Sequence, residues 1–178
     1  MAETETKTRT RRPPKRKLVE AHARSYFEAV ADRNPDAMAR HWNPDGVADL
    51  VPLTVLRGPE QVKAFFREMF SAFPRLETTV TRVVADDKQA VVEWRMTGTF
   101  NGSPFQGIEP TGREVDLRGA DILEIRDEEI FSNTAYYDGA AFARQIGLLP
   151  PRESGADRAI MSAFNAVTKV RRVVGDRR

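Results

Sequence analysis

Four consecutive runs of alternating apolar and polar residues between Leu76 and Tyr137 limit this chain more than any other feature of it. Successive side chains of an extended strand point to opposite faces, so alternation marks a sheet with one face covered. The runs are Leu76 to Ala85, Ala90 to Phe100, Glu114 to Arg126 and Ile130 to Tyr137. Asp86-Asp87-Lys88-Gln89 and Asp127-Glu128-Glu129 are short enough to be hairpin turns, whereas Asn101 to Arg113 is a longer loop. The pattern predicts an antiparallel meander with one apolar face.

The third run breaks its own rule once. Val115, Leu117, Gly119, Asp121, Leu123 and Ile125 share a face, and Glu114, Asp116, Arg118 and Glu124 point the other way. Asp121 is thus a carboxylate among aliphatic neighbours. Desolvation favours the neutral acid and raises the pKa, which is how an ordinary Asp becomes an acid/base catalyst. A structural Asp satisfied by a backbone amide or an Arg fits the same position. In the second run Val92, Trp94 and Met96 oppose Glu93, Arg95 and Thr97. The fourth carries Asn133, Ala135 and Tyr137 on one side and Ser132, Thr134 and Tyr136 on the other, so its inner face stays open.

Helices precede the sheet. Val19, His22, Tyr26, Ala29 and Val30 recur at helical spacing between Lys15 and Arg33, where Asn34-Pro35 stops the helix. Pro35 to His41 reads as a second short helix, Trp42-Asn43-Pro44-Asp45-Gly46 as a turn, and Val47 to Val55 as a strand placed at an edge by Pro52. From Gly58-Pro59-Glu60 a third helix carries Val62, Phe65, Phe66, Met69, Phe70 and Phe73 on one face until Pro74 ends it. So aromatic a face needs a large apolar partner, which the sheet supplies. A short helix, Ala140 to Ile146, follows Asp138-Gly139, and Asp157 to Val174 has helical spacing beyond it.

Together these elements predict an α+β domain, a curved and mostly antiparallel sheet wrapped around helices with an apolar cavity between them. Residues 15–150 form that domain, 1–14 a disordered basic tail and 151–178 a basic, helical extension. Charge follows the same division. Residues 1–17 hold seven basic and two acidic side chains, 151–178 seven and three, and the middle fourteen and twenty-one. The acidic body with basic ends leaves two readings of the tails: solubilising segments, or contacts for an anionic partner. No aromatic is interleaved with the basic cluster from Arg9 to Lys17 to stack on a base, so sequence-specific nucleic-acid binding is not expected. Neither a membrane span nor a signal-peptide start is recognisable, and with no Cys the chain reads as cytoplasmic. Two separate His and no Cys offer no metal-ligand spacing, and there is no phosphate loop or nucleophile elbow.

Several strings resemble the SnoaL-like polyketide cyclases of the nuclear transport factor 2-like superfamily. They are Trp42-Asn43-Pro44-Asp45-Gly46-Val47, Gly58 to Phe66, Phe73-Pro74, Trp94 to Phe100, Pro110-Thr111-Gly112-Arg113 and Tyr136-Tyr137-Asp138. The likeness covers roughly residues 20–150. It implies a cone-shaped α+β barrel, a dimer or higher homo-oligomer formed through the outer sheet face, and an aldol ring closure of a polyketide ester needing no metal or organic cofactor. It also implies that the Asp on the strand after the Thr-Gly-Arg turn, here Asp121, is the general acid/base. Family cyclases carry a His in the loop before that turn, which here reads Phe105-Gln106-Gly107-Ile108-Glu109.

The expected site therefore pairs Asp121 with His41, which follows the second helix where the superfamily places pocket residues. Tyr26, Trp42, Phe66, Met69, Phe70, Trp94, Met96, Asn133 and Tyr137 are the expected walls for a small apolar carbonyl compound. His22 reads as a half-buried structural residue. Three functions stay open: a cyclase-type enzyme using Asp121, a non-catalytic ligand-binding or assembly module, and an epoxide hydrolase or isomerase on the same fold.

Overall fold

The computed structural model describes residues 13–175. Its elements run α1 (Lys15–Ala31), α2 (Pro35–Ala39), β1 (Trp42–Val51), β2 (Thr54–Arg57), α3 (Gly58–Ala72), β3 (Glu77–Ala85), β4 (Gln89–Thr99), β5 (Glu114–Arg126), β6 (Glu129–Tyr137), α4 (Gly139–Gln145) and α5 (Gly155–Gly175). The four alternating runs form β3 to β6 as expected. The basic stretch 1–12 lies outside the described residues.

Six strands make one curled, unclosed sheet in the order β2-β1-β6-β5-β4-β3. All neighbours are antiparallel except β1 and β6. Asp127 and Glu128, both with positive φ, turn β5 into β6. Two such residues match the right-handed twist of paired strands. Asn34 and Asp138 cap α2 and α4 by accepting the backbone N–H of Ala37 and Ala141 at 2.9 and 2.8 Å. Gly58 passes the chain from β2 into α3 at φ +72°, and a Cβ there would meet the Pro44 carbonyl oxygen at 2.9 Å.

Two local expectations are corrected. Trp42 to Gly46 is the start of β1, since Trp42 pairs with Ile130 and a register break before Val47 absorbs the turn-forming residues. Val47 to Val55 is the β1–β2 hairpin, with Pro52-Leu53 as its turn. Proline lacks the N–H that a ladder needs, so it ends β1 rather than marking an edge. The edge strands are β2, beside β1, and β3 at the other end of the sheet.

The core lies between the inner sheet face and α1, α2 and α3. Helix α1 buries Val19, Ala23, Tyr26, Phe27 and Val30, and α3 buries Val62, Phe65 and Phe70. On β6 the inward side is that of Asn133 and Ala135. On the outer face Val84 pairs with Val91 and Val91 with Ile122, a row of exposed apolar residues across three strands. No helix among the described residues is long and apolar enough to cross a membrane.

Candidate functional site

Strand parity brings Asp121 to the inner face, where it is 7% exposed. Its two oxygens each accept one hydrogen bond, Oδ1 from the Trp94 indole N–H at 2.7 Å and Oδ2 from Asn133 Nδ2 at 2.6 Å. Burial pushes the Asp121 carboxyl up to about 6, and these two donors hold it back from rising further. A carboxyl poised near neutral pH can both take and return a proton.

The reach of Trp94 depends on a glycine. Trp94 pairs in register with Gly119, two residues before Asp121 on β5. A Cβ at Gly119 would lie 2.3 Å from Trp94 Cζ2 and 2.6 Å from the Tyr136 carbonyl oxygen. The missing side chain is the notch in which the indole lies to extend along β5 to the carboxylate.

Tyr26 descends from α1 onto the same spot and is 1% exposed. Burial first, and then the negative charge of Asp121, raises its pKa, while the Trp42 indole acts in the opposite sense. The phenol is therefore held in its neutral form. Trp42 Nε1 and Asn133 Oδ1 are buried without a full hydrogen-bond partner among the described residues. Buried unpaired polar atoms are uncommon, and Arg33 Nε and Arg144 Nε are the others among the described residues.

Asp121 forms part of the wall of a cavity of about 100 Å³ between sheet and helices. Among the described residues it contributes the only carboxylate to that wall, and no Lys, Arg or His lines it. Of the expected site residues Tyr26, Phe66, Met69, Trp94, Met96, Asp121 and Tyr137 line this cavity. Asn133 stands behind it, holding Asp121. Trp42 packs edge-on against Tyr26, with ring centroids 6.1 Å apart, and Phe70 lies against Phe66 in the core. His41 is on the far side of Tyr26 and pairs its Nδ1 with His22 Nε2 at 3.3 Å. Burial lowers the pKa of both, that of His41 to about 4 with help from the neighbouring His22 and Arg40 charges.

Leu53, Phe105 and Phe142 also line the cavity and were not recognisable from the sequence. They come from a turn, a loop and a short helix, where no periodicity reports direction. Gly119 was legible in principle, since glycine inside a strand signals a close approach. Arg95 and Arg118 are exposed, and Arg95 forms a two-pronged pair with Asp116 at 2.6 and 2.7 Å, away from Asp121. Among the described residues no three His, Cys, Asp or Glu side chains are grouped to hold a metal ion.

A family model described as SnoaL-like polyketide cyclase matches residues 20–146. A solved structure provisionally named a SnoaL-like polyketide cyclase, from Jannaschia sp. CCS1, superposes with a TM-score of 0.69 at 24% identity, covering 79% of this chain and 99% of that one. AclR from Streptomyces galilaeus, provisionally assigned as a hydroxylase, gives 0.65 at 20% identity over 84% of this chain and 93% of its own. An LEH-like epoxide hydrolase from M. tuberculosis gives 0.61 at 16% identity over 75% and 92%. At these identities the structures share the fold. No curated protein matches the sequence.

Proposed function

The chain belongs to the SnoaL-like polyketide cyclase family, and from that premise we propose that it is an enzyme acting on a small apolar carbonyl compound, with Asp121 as acid/base. The buried Asp121 carboxyl, alone in an apolar wall and held by two donors, carries this reading. In an intramolecular aldol closure the ionised Asp121 removes a proton alpha to a carbonyl. The enolate carbon then attacks a second carbonyl of the same molecule. A C–C bond forms, the π pair becomes an alkoxide, and Asp121 returns its proton to that oxygen. The sequence is an isomerisation, so nothing is consumed besides the substrate. The Tyr26 hydroxyl, kept neutral, is suited to donate to the enolate oxygen.

Ligand pockets usually measure ~300–1,000 Å³, and a cavity near ~150 Å³ holds benzene. At about 100 Å³ the cavity is smaller than either, with room for the reacting carbonyl end of a substrate and not for a whole ring. The half-buried side chains of Met96, Leu117, Tyr137 and Phe142 form its rim, where the remainder of a larger molecule would lie. Epoxide hydrolysis is less well supported, because water activation there calls for a second carboxylate and a cation facing Asp121. The exposed row of Val84, Val91 and Ile122, extended by Tyr136, supports a homo-oligomer through the outer sheet face.

The test needs no knowledge of the natural substrate. Acetophenone-sized ketones are incubated in D2O with the wild type and with Asp121→Asn, and exchange of the alpha protons is followed by NMR. Catalysed exchange in the wild type that is lost in the variant is the expected result. Equal exchange in both sinks the acid/base role.

A further inference from the structure

Among the described residues, helix α5 is the one long element whose apolar side meets nothing. Every described side chain from Arg158 to Lys169 is exposed, including Ile160 at 55%, Phe164 at 64% and Val167 at 52%. Ala156, Ile160, Ala163 and Val167 are spaced alternately by four and three residues, and the sequence continues the spacing at Val170 and Val174. That is the seam of a coiled coil, with β-branched residues at one core position and mostly alanine at the other.

We propose that α5 pairs with α5 of a second copy of this chain in an antiparallel two-helix coil. Three observations select this partner. The 4-3 spacing keeps a narrow seam facing another helix, whereas a bilayer or a flat sheet makes no demand for that repeat. Ala156, Ala159, Ala163 and Ala166 bury little area, which anchors poorly in lipid, but they let two helix backbones approach closely. Charge then selects direction. Asp157 stands in the first turn, whereas Lys169, Arg171 and Arg172 crowd the last turns. A parallel pair sets those cations side by side. An antiparallel pair sets Asp157 beside Arg171 of the second copy and opposes the two helix dipoles.

One register sets the described part of the seam face to face. With Ala163 opposite Val167 of the second copy, Phe164 meets its own counterpart near the two-fold axis. Such a contact is isologous and closes on itself as a dimer.

Because the chain has no Cys, single thiols report the register without background. The full chain is prepared as Ala166→Cys and as Ala156→Cys, two exposed positions, and each is treated with a short bismaleimide. At 1.5 Å rise per residue, position 166 lies about 3 Å along the axis from its counterpart, and position 156 about 27 Å from its own. Covalent dimer from Ala166→Cys alone is expected, and adding Ile160→Asp to that variant is expected to abolish it. Capture from both variants would show a parallel pair, and capture from neither would show no pairing; both overturn the proposal. Loss of capture on adding phosphatidylserine vesicles, with the protein floating on the vesicles, would assign the face to a membrane surface instead.

Discussion

Replacing Trp94 by Phe isolates what the indole does for Asp121. An aromatic ring is kept, without the Cζ2 and Cη2 atoms that lie on Gly119, and the 2.7 Å hydrogen bond to Oδ1 is lost. A hydrogen bond to a charged group contributes about 1.5–3 kcal/mol, and about 1.4 kcal/mol corresponds to one pKa unit. The Asp121 pKa, about 6 in the wild type, is therefore expected to rise by about one to two units. The Asn133 bond alone then opposes desolvation. Carbon-13 NMR of labelled Asp carboxyls reads this directly, with Asp121→Asn identifying the resonance and no need for a substrate. Ketone exchange should follow, its basic plateau moving up in pH by the same amount. A carboxyl pKa that stays in place or falls would refute the view that Trp94 stabilises the ionised form.

Other substitutions test neighbouring parts of the same construction. Because the folded pKa of Asp121 lies above its ordinary 3.8, its contribution to stability is full below about pH 4 and is lost as pH rises through about 6. Asp121→Asn should thus be more stable than wild type by about 2–3 kcal/mol at pH 7, as seen in urea unfolding, and no more stable near pH 4. The Asn133 amide can flip to offer its unpaired oxygen to the new N–H, so a less stable variant at pH 7 would count against this reading. For His22 and His41 the sign reverses. Both are held neutral when folded, so their contribution is present above about pH 6.5 and is lost as pH falls, for His41 toward about 4. His41→Gln should flatten the acid limb of a stability-versus-pH curve, and an unchanged limb would dissociate the pair from it. Gly119→Ala places a Cβ against the Trp94 ring and the Tyr136 carbonyl, which should cost about 1–3 kcal/mol by overpacking and shift the Trp94 indole N–H resonance. Both readouts at wild-type values would show that the notch is not needed.

Much of the fold could be read from period alone. Strand β5 announced both its length and the odd carboxylate, because a residue's face depends only on counting by two. Its supports were hidden for the same reason. Whether Trp94 can touch Asp121 depends on the register that sets Trp94 against Gly119, and register is a property of two strands. On β6 the two faces are almost equally polar, so only pairing with β5 and β1 decided that Asn133 is inside. Trp42 to Gly46 has the composition of a turn, yet pairing with Ile130 draws it into β1. The aromatic face of α3 was plain, but its division between cavity wall (Phe66, Met69) and core (Phe70) follows from the curvature of the sheet opposite.

The single parallel pairing, β1 against β6, bears on how the molecule comes to exist. Every other strand pair joins neighbours along the chain, so those ladders can form soon after they are synthesised. β1 instead pairs with the last strand, across nearly the whole domain, and closing such a contact carries a large entropic cost before it is rewarded. The β1–β2 hairpin leaves the ribosome early and keeps one edge unpaired until residues 130–136 follow it. The first half of the chain therefore waits for the second, and a strand edge exposed for that interval is a place where misassembly begins.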